Sequence, residues 1–153
     1  MAHMPHAAQC VDTPIGTFTI IANNSALLKL LPGTGYGQSP TPLTEEAAAQ
    51  LSAYFCGQLH QFDLPLAAAG TPFQQRCWAL LETIDYGATR SYGWQAEQLG
   101  SRQLARAVGS ANGANPLPLF IPCHRIVNAD GKPGGYNLGV INKRWLLDHE
   151  AAQ

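Results

Sequence analysis

Long apolar runs are missing from this chain. None approaches the ~20 residues that a helix needs to cross a bilayer, so no membrane association is expected. The opening MAHMPH lacks the charged region and apolar stretch of a secretory signal, and MAHM reads as a cloning remnant that is set aside. Paired cysteines are missing as well. Cys10, Cys56, Cys77 and Cys123 form no CxxC pair and no disulfide-framework spacing, which points to reduced thiols in a cytoplasmic protein. The five histidines do not cluster, apart from His3 and His6 in the region of the remnant, so no metal site and no cofactor is expected. Charge is sparse, with 9 cations against 10 anions and a net charge of −1. That balance argues weakly against a nucleic-acid binder.

What is present is enough for a real core. The 153 residues are 46% hydrophobic, which suits one ordinary domain or a domain with a small satellite. The few charges are uneven. Residues 1–70 hold Lys29 against Asp12, Glu45, Glu46 and Asp63, whereas residues 71–153 hold eight cations and six anions. A mildly basic back half would suit a protein that offers one face to a polyanion; chance scatter accounts for the count equally well.

The pattern predicts an α+β fold. A small N-terminal unit of sheet and helix (residues 1–70) precedes a mainly helical unit (71–153) containing a helix-turn-helix. "GTFTIIA" (16–22) and "ALLKLL" (26–31) read as strands around an "NNS" turn. Gly33–Pro42 is a loop. A helix then opens at Thr41-Pro42, with an apolar stripe of Leu43, Ala47, Leu51 and Phe55. "FDLPL" (62–66) is a further candidate strand, and "AAAG" (67–70) a linker. Thr71-Pro72-Phe73-Gln74 is a capping box with proline at the first helical position. Cys77 on the following stripe reads as a small buried hydrophobe. Residues 91–113 read as helix, Gly-Ser turn, helix, and a final helix spans roughly 141–152. The second helix of that pair is slim: Ala105, Ala107, Gly109, Ser110 and Ala111 surround a lone Arg106. Such a helix can approach another molecule closely, or can simply pack against a neighbouring helix.

The chemistry gathers in "LPLFIPCHRIV" (117–127), where an apolar run ends in Pro122 and places a thiol, an imidazole and a guanidinium side by side. A cysteine is nucleophilic as thiolate, a form that a neighbouring base makes available. Adjacent residues of an extended strand point to opposite faces. Cys123 and His124 can therefore cooperate only where the backbone turns, which Pro122 favours. Asp148 and Glu150 are candidate orienters of the imidazole. Spacing alone leaves a reactive Cys123 and a buried structural thiol both open. A papain-type hydrolase lacks its local cysteine signature here and would leave the slim helix unused.

"IPCHRIV", with "RAVGSANGANPLP" upstream and "WLLDHE" downstream, resembles the O6-alkylguanine-DNA alkyltransferase family (methylated-DNA–protein-cysteine methyltransferases), strongly over 71–152 and loosely before that. The resemblance implies a DNA-repair protein that flips O6-alkylguanine out of double-stranded DNA and takes the alkyl group irreversibly onto its own cysteine. Cys123 would be the acceptor, His124 would act on it through a water, and Glu150 would orient His124. Asn115 would brace the turn, and Tyr92 would let the departing guanine be protonated. Arg106 would fill the space left by the base, with Ala105, Ala107, Gly109 and Ser91 on the DNA face in the minor groove. There small residues permit close approach, and base edges are poorly distinguished. The pocket would be formed by Tyr136, Asn137, Ile126 and Asn112, with the Cys123 and Ile126 carbonyls reading the guanine amino group and the 134–139 loop closing over the alkyl-bearing edge. The implied protein acts as a monomer, with cooperative binding on DNA left open. A non-catalytic lesion-binding module of the alkyltransferase-like kind is the alternative, although such proteins replace the acceptor cysteine that this chain keeps.

Overall fold

Proline at the first turn and threonine just before it start two of the three longest described helices, and the computed structural model, which describes residues 6–152, shows why. The helix α1 (Pro42–Phe55) has Thr41 as its cap, with the Thr41 side chain accepting from the Thr44 amide while the Thr44 hydroxyl accepts from the Thr41 amide. The helix α2 (Pro72–Leu81) repeats the device with Thr71 and Gln74. Each box satisfies two amides that would otherwise lack partners at the helix start.

The chain divides into two compact units, Met1–Ala68 and Ala69–Gln153. The first contains an antiparallel sheet of β1 (Ala7–Thr13), β2 (Gly16–Ala22) and β3 (Leu27–Pro32), with β2 in the centre. Phe18, Ile20 and Ala22 alternate along β2 and are buried, as are Leu27 and Leu30 on β3. From α1 come Thr44, Ala47, Leu51 and Tyr54. The buried stripe of α1 thus keeps the expected Ala47 and Leu51, while Thr44 and Tyr54 replace Leu43 and Phe55, which lie at its margins. Thr44 takes its place inside because its hydroxyl both completes the capping box and donates to Gln9 Oε1 at 2.8 Å. Strand β1 was not legible because Ala7–Thr13 has only Val11 and Thr13 as β-branched residues. The expected strand at 62–66 is reduced to a single bridge between Leu27 and Leu66. Pro65 has no amide to offer a ladder, so only its carbonyl and the Ala67 amide bond to Leu27. The MAHM segment and His3 lie outside the described residues.

The second unit contains α2, β4 (Arg90–Ser91), α3 (Tyr92–Gln98), α4 (Ala105–Gly113), β5 (Ile126–Val127) and α5 (Val140–Ala151), with 3-10 turns at Arg102–Leu104 and Cys123–Arg125. Helices α3 and α4, joined through Gly100, make the expected helix-turn-helix. They are fixed from inside by polar bonds. Trp78 Nε1 donates to the Ala111 carbonyl at 2.9 Å. Gln95, wholly buried on α3, exchanges two amide hydrogen bonds with Asn112 of α4 (2.8 and 3.0 Å) and donates to the Cys77 carbonyl at 3.1 Å. Cys77 is buried as expected, and burial pushes its thiol pKa up, so it is a poor nucleophile. No described helix is long and apolar enough to cross a membrane.

The Gln95–Asn112 exchange orients α4. Gln95→Met removes one partner and leaves a buried amide and carbonyl unsatisfied, a cost of about 2 kcal/mol. Urea unfolding should show that loss as a lower midpoint with an unchanged slope.

Candidate active site

The route from α4 to Cys123 is a chain of unusual backbone states. Leu119 is the one described non-glycine residue at positive φ (76°), a conformation that costs an L side chain of order 1–2 kcal/mol and that its burial holds in place. Pro122 follows at φ −81°, ψ 65°, and the Cys123 amide reaches back over it to the Ile121 carbonyl at 2.8 Å. This is an inverse γ-turn, and it turns the backbone between the apolar run and the 3-10 turn that carries Cys123, His124 and Arg125. Asn115 braces the same turn. Its Oδ1 accepts from the Leu117 amide (2.9 Å), and its Nδ2 approaches the Ile121 carbonyl (2.9 Å) and Cys123 Sγ (3.4 Å).

Behind the thiol lies a buried charged cluster. His124 Nε2 is 2.7 Å from Glu150 Oε2, and Arg125 donates Nε to Oε1 (2.9 Å) and Nη2 to Oε2 (3.1 Å) of the same carboxylate. Arg125 Nη1 also donates to the Ile84 carbonyl at 2.7 Å. Burial alone would raise the Glu150 pKa. The hydrogen bond from His124 and the hydrogen bonds and charge of Arg125 outweigh it and hold the carboxyl well below the usual range. Burial keeps His124 neutral against the pull of Glu150. Because an ionised carboxylate only accepts, the imidazole proton belongs on Nε2 and leaves Nδ1 as a bare base. Burial also pushes the Cys123 thiol up to about 11, against the opposing effects of Asn115 and Lys143. Cys123 is therefore a thiol at neutral pH, and a base would have to take its proton before it could act as a nucleophile.

Cys123 opens onto a cleft of about 630 Å³, within the range of small-molecule sites, lined in part by Tyr92, Ala105, Arg106, Gly109, Asn112 and Tyr136. Ala105, Gly109 and Asn112 stand on one face of α4, three or four residues apart; Ala107 is exposed and is not among the lining residues. Arg106 is exposed and makes no hydrogen bond or ion pair among the described residues, unlike Arg102, which pairs with Glu97. Ser91 caps α3, accepting from the Trp94 amide. Ile126 is wholly buried in β5, which pairs with β4. Over the cleft, the 134–139 loop comes close to Tyr92. Gly134 sits at φ +74°, and a Cβ there would stand 3.1 Å from the Tyr92 hydroxyl. Asn137 donates Nδ2 to the Asn115 carbonyl (3.2 Å) and has Oδ1 4.0 Å from Sγ. Among the described residues no group of three or more His, Cys, Asp or Glu could hold a metal ion.

Sequence reasoning gave no role to Arg125 or Lys143. Lys143 is wholly buried, with Nζ donating to the Gly135 carbonyl (3.0 Å) and standing 5.7 Å from the Tyr92 ring centre. Burial pulls its pKa down to about 8, against the raising effect of Cys123. The available signal was spacing: Lys143 shares with Leu146 and Glu150 the buried face of α5.

Two family models together span almost the whole chain: "6-O-methylguanine DNA methyltransferase, DNA binding domain" over residues 72–152 and its "ribonuclease-like domain" over residues 8–68. The chain belongs to the methylated-DNA–protein-cysteine methyltransferase family. A relative of that name from Mycobacterium tuberculosis (strain ATCC 25618 / H37Rv) is 46% identical over 151 residues, covering 94% of this chain and 91% of the relative. One from Methanosarcina barkeri is 42% identical over 148 residues, covering 92% and 94%. The crystal structure of the M. tuberculosis O6-methylguanine methyltransferase matches with a TM-score of 0.87 at 42% identity, covering 97% of this chain and 94% of that one. The M. tuberculosis OGT in complex with DNA matches with a TM-score of 0.87 at 44% identity, covering 95% and 93%. The protein is thus a DNA-repair methyltransferase that binds DNA.

Glu150 also ties the site to stability. Its folded pKa is depressed, so its contribution is present above the ordinary carboxylate range near 4.5 and is lost as pH falls below it. Glu150→Gln leaves Arg125 buried without its counter-charge, which should cost about 3 kcal/mol at pH 7. Unfolding free energies measured across acid pH should fall less steeply in the variant than in the wild type.

Proposed function

We propose that Cys123 is the acceptor in a single-turnover repair of O6-alkylguanine in double-stranded DNA. The observation that carries this is the placement of Sγ on a cleft lined by Arg106 and Tyr92, with the neutral His124 held by Glu150 behind it. The thiol proton passes through a water to His124 Nδ1. The thiolate attacks the alkyl carbon, the carbon–sulfur bond forms, and the carbon–O6 bond breaks with its electron pair going to the guanine. The Tyr92 hydroxyl then supplies a proton to the leaving base. No cofactor is needed, because the thiolate itself receives the group.

Arg106 enters the duplex and takes the place of the flipped base, offsetting part of an unstacking cost of a few kcal/mol. Ala105 and Gly109 let the backbone of α4 come close to the minor groove, and Ser91, at the start of α3, sits on the DNA side. Asn137, Asn112 and the Cys123 and Ile126 carbonyls read the base, and the 134–139 loop covers it. The protein acts as a monomer in the cytoplasm, where its four free cysteines stay reduced.

Three outcomes test this reading. Cys123→Ser should abolish transfer of a methyl label from O6-methylguanine DNA while DNA affinity changes less than about threefold; label appearing on Cys10, Cys56 or Cys77 would contradict it. Arg106→Ala should slow repair in duplex DNA by roughly tenfold, equivalent to ~1.4 kcal/mol of flipping cost, and leave transfer from free O6-benzylguanine nearly untouched. Because a thioether carries no carbonyl for water to attack, repaired guanine titrated against protein should plateau at one equivalent; continued repair would mean a different chemistry.

A further inference from the structure

Two buried polar atoms near Cys123 have no partner in the fold. His124 Nδ1 and the Tyr136 hydroxyl are both shut away from solvent, and neither makes a hydrogen bond among the described residues. Their rings meet edge to face with centroids 6.4 Å apart. The hydroxyl is within electrostatic reach of both ends of the site: burial above all, then Cys123 and Glu150, raise the Tyr136 pKa well above its ordinary value. The residues on either side of Tyr136 are pinned, Gly135 by Lys143 Nζ and Asn137 by the Asn115 carbonyl, so the ring is held where it is. Buried polar atoms in native proteins nearly always have a partner. Where protein supplies none, a water with two or more polar neighbours serves.

We propose that Tyr136 Oη and His124 Nδ1 together hold one water molecule beside Cys123, which makes Tyr136 a positioning residue for removal of the thiol proton. The inference rests on the reading of Cys123 as acceptor and deepens it. The water donates one O–H to the bare Nδ1, accepts from the thiol through a lone pair, and bonds to the Tyr136 hydroxyl with one of its two remaining sites. On transfer the S–H bond breaks as the water oxygen takes that proton, and a water O–H bond breaks as Nδ1 takes another. Water is regenerated, the electron pair stays on sulfur, and Nε2 keeps its proton toward Glu150. Tyr136 neither gains nor loses a proton, because burial prevents its ionisation near neutral pH. The charged and titratable groups around this relay are His124 and Arg125 on the 3-10 turn, Lys143 and Glu150 from α5, Tyr92 from α3, and Tyr86, whose ring faces Arg125.

The test compares Tyr136→Phe with wild type in the rate of Cys123 labelling by O6-benzylguanine from about pH 6 to about pH 10, with intact and peptide mass locating the label. The variant should react about tenfold more slowly near pH 7. The difference should shrink toward the alkaline end, where hydroxide takes the thiol proton without a relay. Equal rates at every pH, or the same fold-loss at every pH, would overturn the proposal, since lost packing gives no convergence. A high-resolution crystal structure of the wild type is a second check that needs no variant. One water within hydrogen-bond distance of both atoms is expected, and its absence overturns the inference. Wild-type label found away from Cys123 would instead refute the acceptor reading itself.

Discussion

One buried carboxylate organises the catalytic half of this protein. Glu150 reaches from α5 to accept from Arg125 and His124, two neighbours on the turn that also carries Cys123. A carboxylate so deeply placed would be driven to its neutral form without a counter-charge; the Arg125 guanidinium keeps it ionised. The charge then fixes His124 as a donor through Nε2 and so defines the tautomer that can act as a base. Arg125 has a further bond to the Ile84 carbonyl, just beyond the end of α2. The same ion pair therefore joins α2, the 3-10 turn and α5, and the elements that position the thiol are those that tune it.

The thiol itself is held in a form that does not react on its own. Burial favours the neutral state, so in the proposed mechanism His124 has to take the thiol proton before Cys123 attacks. Under the proposed single turnover, a protonated resting state has a use: a permanently exposed thiolate would be lost to any passing electrophile. The backbone supports this placement at some expense. Leu119 in a left-handed conformation and the inverse γ-turn over Pro122 are tolerated because Asn115 and the buried apolar run over-determine them.

Much of this was legible in the sequence because it follows from local rules. The capping boxes at Thr41 and Thr71, the slim helix with Arg106, and the proline that turns the chain at Cys123 are all short-range signals. What stayed hidden depended on partners far along the chain. Strand β1 has a poor strand composition and is made by its pairing with β2. Thr44 was passed over as core because its burial depends on Gln9. Arg125 was visible beside His124, but its function as the counter-charge of Glu150 exists only once α5 folds back over the turn. Lys143 was hidden because a lysine is ordinarily read as solvated surface, and only the pairing of its spacing with Leu146 and Glu150 marks it as interior. Tyr136 was legible as a pocket residue, whereas its unpartnered hydroxyl is a property of packing alone.

The protonation state of His124 in the resting protein is the quantity on which the account turns. Nitrogen-15 NMR of the imidazole in the unalkylated protein at neutral pH reads it directly. The account predicts a neutral ring with its proton on Nε2 and a bare Nδ1, persisting to pH values below the ordinary histidine midpoint of about 6.5. An imidazolium at pH 7, or a neutral ring protonated on Nδ1, would contradict it, because neither could take a proton from Cys123.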